Sequence, residues 1–407
     1  MPFSVTANRP FLKLLSFRVF ITLAYQMIAV VVGWHIYELT HDPLSLGLIG
    51  LAEVIPYFLC APFAGHAIDH YSRRMFGVAA SLMLALNALT LTAVSGGWLS
   101  GGHPAFWLYG AVAFGGIARA FIAPSYSALF ALILPRNVYA RAAGIGTSVF
   151  QLGLVLGPAL GGILIALTGK TATYGTACVM SLCAAVALLS INIKEPPVSG
   201  SSPSVFKSIG EGLQFVFSNQ LILGAQSLDM FAVLFGGAVS MLPAFISDVF
   251  HYGPELLGFL RAAPAIGALM TGIVLARRPI NLHGGRWLLG AVAGFGICMI
   301  SFALSANIWV AAFLLLLSGV CDGVSVVMRT TIIQLTTPDI MRGRVSAING
   351  IFIGSSNELG AFESGIAARL MGLVPSVIFG GIMTLSVVAA TAKLAPKLRR
   401  LNLHQLH

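Results

Sequence analysis

Long apolar stretches alternate with short polar connections along almost the whole chain. Each stretch has about the length, roughly 20 residues, that a helix needs to cross the hydrocarbon core of a bilayer. Isolated strands cannot satisfy their backbone in lipid, and the stretches are too long and too continuous for barrel strands. The pattern predicts an all-α integral membrane protein. Its twelve transmembrane helices, segments 1 to 12, are predicted at residues 14–37, 44–65, 75–94, 105–128, 143–167, 173–193, 221–246, 255–276, 287–305, 308–331, 345–367 and 373–394.

The longest polar connection divides the twelve segments six and six. It begins with residues rich in Pro, Ser and Gly and continues as a short amphipathic piece, which is typical of a linker. We therefore expect an N-terminal six-helix bundle at 1–193, a cytoplasmic linker at 194–220 and a C-terminal six-helix bundle at 221–407.

The composition supports a membrane protein. Hydrophobic residues make up 57% of the chain and charged residues only 9%, whereas a soluble domain carries about 25% charged residues. So few charges cannot cover a water-facing surface, and the surplus apolar surface must face lipid. The five cysteines lie in apolar stretches without the spacing of metal ligands, so we expect neither a disulfide nor a metal.

The positive charges lie mainly in alternate connections. If both termini are cytoplasmic, 18 of the 23 Lys and Arg residues fall in inner connections, Arg18 among them, and only Lys170 and Arg369 fall in outer ones. The other three lie within segments: Arg119, Arg261 and Arg329. This distribution predicts cytoplasmic termini by the positive-inside rule. It also accounts for the net charge of +10 without nucleic acid as a partner.

An internal repeat relates the two halves. Residues 116–169 align without a gap with residues 319–372 at a shift of 203 positions. The matched pairs include Gly116 with Gly319, Pro135 with Pro338 and Arg141 with Arg344. Such matches are rarer in apolar sequence than matches of Leu with Ile. Duplicated halves around a central linker are typical of secondary transporters, whose pathway runs between the halves.

Three motifs resemble those of the major facilitator superfamily. The connection after segment 2 reads GHAIDHYSRR at 65–74, which is similar to the loop motif of that superfamily. Segment 5 contains GLVLGPALGG at 153–162, similar to the Gly-Pro motif of its proton-coupled exporters. Gly116 and Arg119 in segment 4 resemble the membrane-embedded arginine of its drug exporters.

The resemblance also extends to one branch of the superfamily. Residues 30–51 and 354–381 are similar to the branch that contains the bacterial enterobactin exporter, and the likeness covers nearly the whole chain. The second half departs from the pattern. Its loop motif survives only as Arg277-Arg278, and Ala361 stands where Pro158 stands in the first half.

The resemblance implies a gating role for the loop motif. Gly65 would allow close helix contact, and Asp69 would face the N-terminal end of segment 11 and hold the cytoplasmic gate closed. A negative charge at a helix N-terminus is favourable by about 0.3–1 kcal/mol. Arg73 and Arg74 can pair with Asp69 or with phosphates. In the alternative interpretation, Arg73 and Arg74 only anchor the loop on the cytoplasmic side.

Small residues recur along segment 5: Gly153, Gly157, Pro158, Gly161 and Gly162. Glycines four residues apart form a groove in which another helix backbone can approach closely, and Pro158 removes a backbone hydrogen bond and permits a bend. This pattern serves helix packing, a face that opens and closes during exchange, or both.

Ionisable side chains fall inside several segments, where each costs about 2.5–3.5 kcal/mol near the bilayer centre. The resemblance implies that segments 1, 4, 7 and 10 line a central cavity. The side chains expected to face it are Gln26, Arg119, Asp229, Asp322 and Arg329. The repeat shift places Gln26 opposite Asp229 and Arg119 opposite Asp322. Static pairing of Asp with Arg is the alternative.

Proton coupling requires a carboxylate that alternates between exposed and buried states. We expect Asp229 to be the first candidate, followed by Glu53 and then Asp322, and we expect Glu358 to take part in gating. Arginines and aromatic residues such as Tyr25 and Tyr126 on the cavity segments suit a planar, amphipathic or anionic cargo. Packing explains the aromatic residues equally well.

These features together predict a secondary active transporter of the bacterial inner membrane. We expect it to export a small organic molecule, siderophore-like or drug-like, in exchange for protons and as a monomer. Uptake and passive facilitation are the alternatives; the Gly-Pro motif favours export and the buried carboxylates favour coupling. The sequence contains no catalytic motif, so neither an enzyme nor a cofactor is expected.

Overall fold

The computed structural model describes residues 8–99, 103–135, 138–193, 205–278, 280, 283–338 and 341–401, and helices dominate these residues. The helices are α1 (Arg9–Thr40), α2 (Pro43–His70), α3 (Arg73–Ser95), α4 (Pro104–Ile133), α5 (Tyr139–Leu189), α6 (Val205–Ser218), α7 (Gln220–Phe235), α8 (Leu242–Ala244), α9 (Glu255–Arg277), α10 (Gly284–Leu304), α11 (Ile308–Thr336), α12 (Arg342–Met371), α13 (Leu373–Leu394) and α14 (Pro396–Arg399).

Each predicted segment coincides with helical structure. Segments 1 to 4 are α1 to α4, segments 5 and 6 together form α5, and segments 8 to 12 are α9 to α13. Segment 7 is α7, continued by a 3₁₀ turn, α8 and a π-helical turn as far as Val249. The amphipathic part of the linker is α6.

Ten of the described helices are long and apolar enough to cross a membrane. One of them, Arg141–Leu189, has 49 residues and is long enough for two crossings. It changes direction at Gly169, whose φ of 82° favours glycine. The 30-residue α12 is not among the ten, and its interior carries Glu358 and Glu363.

The first helix begins earlier than its apolar run. The side chain of Asn8 accepts a hydrogen bond from the backbone N–H of Phe11 (3.0 Å), and a proline occupies the first turn. Both features favour a helix start. Segment 1 was predicted to begin at residue 14, whereas α1 begins at Arg9. Arg18 was counted with the inner connections, but it lies inside the helix.

The chain forms two compact units. The first comprises residues 1–41, 51–201 and 252–262, and the second comprises 42–50, 202–251 and 263–407. The division differs from the predicted bundles at two short stretches. The first residues of α2 belong to the second unit, and the first residues of α9 belong to the first unit.

In the first unit, glycines on one side of α5 contact α1. A Cβ atom added at Gly153 would lie 2.7 Å from Thr22, and one added at Gly157 would lie 2.5 Å from Gln26. One turn further on, a Cβ added at Gly162 would lie 2.5 Å from the Cα of Gly258. These positions leave no space for a side chain, which explains why segment 5 is rich in glycine.

The second unit contains corresponding contacts. A Cβ added at Gly365, the repeat partner of Gly162, would lie 3.0 Å from the Cα of Gly47. Gly360, the repeat partner of Gly157, faces the backbone of Val233 and Leu234.

The position of Gly360 corrects one expected equivalence. Gly157 faces Gln26, so the counterpart of Gln26 lies at Val233 and Leu234, about one turn beyond Asp229. The constant shift of 203 therefore does not hold for the first helices of the halves, because the connections that follow them differ in length.

Candidate functional site

Glu53 joins three helices of the first unit. Its Oε1 atom accepts a hydrogen bond from Nη1 of Arg119 on α4 (2.7 Å) and another from the hydroxyl of Tyr25 on α1. The side chain of Glu53 is 12% exposed and that of Arg119 is 28% exposed. The ion pair therefore lies in the helical interior but keeps access to the surface of the unit.

Two aromatic rings flank the guanidinium of Arg119. Its Cζ atom lies 5.5 Å from the ring centroid of Tyr25 and 5.2 Å from that of Tyr57. Both distances allow a cation–π interaction. The cluster thus combines a carboxylate, a cation and two aromatic faces on α1, α2 and α4.

A second ion pair lies in the other unit. Arg329 on α11 binds Asp229 on α7 through Nη1 and Oδ2, and both side chains are buried. Nε of Arg329 has no hydrogen-bond partner among the described residues. The contact corresponds to static pairing, the alternative weighed for Asp229, and a separated buried charge would be costly there.

Asp322 differs from the other two carboxylates. It is partly buried on α11, and no hydrogen bond or ion pair reaches it from the described residues. The repeat explains why. Gly116 packs on the backbone of Glu53, and its partner Gly319 packs on the backbone of Pro264. The second unit keeps this helix contact, but Pro264 supplies no charge where Glu53 supplies one.

Glu358 lies on α12 beside the start of α2. A Cβ added at Gly50 would lie 2.9 Å from the carbonyl oxygen of Glu358 and 3.3 Å from its Oε2. Sequence analysis placed Arg261 within segment 8. Its Nη1 donates to the carbonyl oxygen of Ala29 (3.2 Å) in the first unit.

The structure describes only the backbone at part of the loop motif. The backbones of Gly65 and Asp69 belong to α2, but the structure does not describe what these two residues contact. Nη1 of Arg74 donates to the carbonyl oxygen of Ile191 (2.7 Å), which ties the start of α3 to the end of α5. The expected pairing of Asp69 with segment 11 stays a prediction.

Pro158 lies inside α5 without interrupting the helix. Its carbonyl oxygen would lie 2.5 Å from a Cβ added at Gly258, so Pro158 and Gly162 contact the same stretch of α9. Gly153, Gly157 and Gly161 face α1 instead. The motif therefore divides between two neighbouring helices within the first unit.

The helices and the paired intramembrane charges define a multi-pass α-helical membrane transporter. The sequence profile described as "Major Facilitator Superfamily" matches residues 14–361. The chain belongs to this superfamily, and it is a transporter and not an enzyme.

Two relatives and one solved structure illustrate the similarity. The multidrug efflux pump Tap of Mycolicibacterium fortuitum is 24% identical over 91% of each chain. The enterobactin exporter EntS of Escherichia coli O1:K1 / APEC is 25% identical over 63% of each chain. A bacterial homolog of the human lysosomal transporter Spinster superposes with a TM-score of 0.76 at 15% identity, covering 97% of this chain and 98% of the other. At this identity the superposition shows the fold alone.

Proposed function

We propose that this transporter exports a small organic molecule across the bacterial inner membrane by alternating access, in exchange for protons. The names of the two relatives, a multidrug efflux pump and an enterobactin exporter, support export of a siderophore-like or drug-like cargo. The positive-inside distribution supports cytoplasmic termini. We further propose that the protein acts as a monomer of two six-helix bundles joined by the linker.

Proton exchange rests on one observation, the unpartnered carboxylate of Asp322. Glu53 and Asp229 each bind an arginine, so either carboxylate would have to separate from its partner before it could carry a proton. Asp322 has no such partner among the described residues. A partly buried carboxylate without a counter-charge is suited to gain and lose a proton as its access to water changes. This geometry supports Asp322 as the proton carrier, ahead of Asp229 and Glu53.

The other predicted residues receive supporting roles in this proposal. Gln26, Arg119 and Arg329 contribute polar groups along the cargo path, and Glu358 contributes to gating beside Gly50. The loop motif, Gly65, Asp69, Arg73 and Arg74, holds the cytoplasmic gate. The close glycine contacts of α5 support a surface along which helices slide or separate.

Transport in proteoliposomes tests the proposal. Protein is reconstituted, a pH gradient is imposed, and accumulation of an amphipathic fluorescent dye and of salicylate is followed over time. A proton antiporter accumulates cargo against its gradient and loses this accumulation when an uncoupler is added. Transport of both probes that ignores the uncoupler would instead indicate a passive facilitator.

Asp322→Asn tests the proton carrier. We expect this variant to lose gradient-driven accumulation but to keep counterflow, because counterflow exchanges cargo for cargo without net proton movement. Glu255→Gln is the control, since Glu255 is exposed at the start of α9. Gradient-driven accumulation at the wild-type rate in Asp322→Asn would refute the assignment.

A further inference from the structure

Arg18 occupies an unusual position in the first unit. The charge pattern assigned it to an inner connection, but it lies in the third turn of α1. Its Cζ atom lies 4.0 Å from the ring centroid of Tyr126 on α4 and 4.9 Å from that of Phe150 on α5. The guanidinium is therefore held between aromatic rings from two neighbouring helices.

Two polar atoms in this cluster lack partners. Nε of Arg18 and the hydroxyl oxygen of Tyr126 are buried without a hydrogen bond among the described residues. Buried polar groups are nearly always hydrogen-bonded, so an unsatisfied pair in one cluster indicates a missing partner. The hydroxyl lies against Gly146 on α5, where an added Cβ would collide with its oxygen.

Among the residues that the structure describes, Arg18 also has no carboxylate partner. The sequence contains no Asp or Glu before Glu38 and none between Asp69 and Glu195. Consequently α3, α4 and α5 contain no carboxylate, and α1 carries one only near its far end. The repeat shift of 203 pairs Tyr126 with Arg329, whose charge is neutralised by Asp229. At the corresponding place in the first unit, no carboxylate pairs with Arg18 in the part of the chain that the structure describes.

We propose that Arg18 and Tyr126 bind an oxyanion, and that this oxyanion is the acidic group of an aromatic cargo. The assignment rests on the proposed export function and specifies a site for the cargo. Arg18 and the Tyr126 hydroxyl together supply a cation and two free donors, the combination that a carboxylate or phenolate accepts. The side chain of Phe150 is 37% exposed and offers an aromatic face on which the ring of the cargo stacks.

Equilibrium binding without a pH gradient tests the site. The full-length protein in phosphatidylcholine nanodiscs is titrated with salicylate and with salicylamide, which has the same ring but no carboxylate. We expect salicylate to bind more tightly than salicylamide. Arg18→Gln should weaken salicylate binding about tenfold or more, because a hydrogen bond to a charged group is lost. Arg286→Gln, an exposed arginine on α10, should leave binding unchanged.

A pair of glycine variants keeps the test independent of the arginine. Gly146→Ala places a methyl group against the Tyr126 hydroxyl, displaces it and should weaken salicylate binding. Gly144→Ala adds the same methyl group two residues away, where nothing lies within 4 Å, and should not weaken it. Alanine favours a helix over glycine, so neither change is expected to impair folding.

The headgroup of an anionic lipid presents the same chemistry as an acidic cargo. Native mass spectrometry of protein in nanodiscs containing phosphatidylglycerol separates the two sources. The cargo assignment would be overturned in favour of a lipid by two results together. The wild type would retain this lipid and Arg18→Gln would not, while both proteins would bind salicylate with equal affinity. Equal binding of salicylate and of lipid by the wild type, Arg18→Gln and Gly146→Ala would overturn the site. Gradient-driven export would survive that outcome if the proposed function is correct.

Discussion

At the scale of single residues, the two ion pairs differ in how completely they are buried. Asp229 and Arg329 are both buried, so removing one partner leaves an uncompensated charge in the helical interior. We expect Asp229→Asn to lower the free energy of unfolding by about 3–5 kcal/mol. The double variant Asp229→Leu/Arg329→Met should recover most of this loss, because it removes both charges. Thermal unfolding of the purified protein in detergent measures the change.

The pair in the first unit provides the comparison. Arg119 is 28% exposed, so water partly replaces its partner when Glu53 is neutralised. Glu53→Gln should therefore cost less stability than Asp229→Asn. The idea is wrong if Glu53→Gln and Asp229→Asn lose the same free energy of unfolding. It is also wrong if the double variant is as unstable as Asp229→Asn, because an unpaired buried charge would then not be the cause of the loss.

Sequence analysis identified these ionisable residues but not their partners. Glu53 and Arg119 are separated by 66 residues, and only the packing of α2 against α4 brings them together. Arg18 was missed for a different reason. It was counted with the charges of the inner connections, although segment 1 already contains it and Asn8 and a proline at position 10 indicate a helix start before it.

At the scale of helices, glycine contacts determine how closely α5 and α9 approach. We expect Gly258→Leu to lower the free energy of unfolding by about 1–3 kcal/mol, since the added side chain would collide with Gly162 and the carbonyl oxygen of Pro158. Gly272→Leu on the same helix meets nothing within 4 Å and serves as the control. Unfolding curves in detergent compare the two variants. Similar midpoints for Gly258→Leu and Gly272→Leu would show that the α5–α9 contact adjusts to the larger side chain without loss of stability.

The helices themselves were predictable because apolar length and the breaks between segments are local properties. Residues 168–172 were predicted to separate segments 5 and 6, and the backbone turns at Gly169. The register between halves was less predictable. A gap-free shift describes residues 116–169, but Gln26 does not correspond to Asp229, because connections of different length precede the aligned stretch.

At the scale of the whole molecule, the number of crossings depends on α12. It is 30 residues long, but Glu358 and Glu363 in its interior and Arg369 near its end lower its apolar character. These charges are accommodated by protein contacts. Glu358 lies against Gly50, and Arg369 lies 3.4 Å from Asp42 in an ion pair. A polar helix can cross a bilayer when its charges face protein and not lipid.

Reporter fusions on either side of α12 decide whether it crosses. Alkaline phosphatase is active outside the cytoplasm, whereas green fluorescent protein exported in unfolded form is dark. With cytoplasmic termini and twelve crossings, fusions after residue 340 should be fluorescent and inactive as phosphatase, and fusions after Gly372 should show the reverse. Two identical results would mean that α12 does not cross. Because α13 follows α12 directly and crosses back, a fusion after Leu401 should again be fluorescent. If this fusion behaves differently from the fusion after residue 340, the predicted orientation of the second half is wrong.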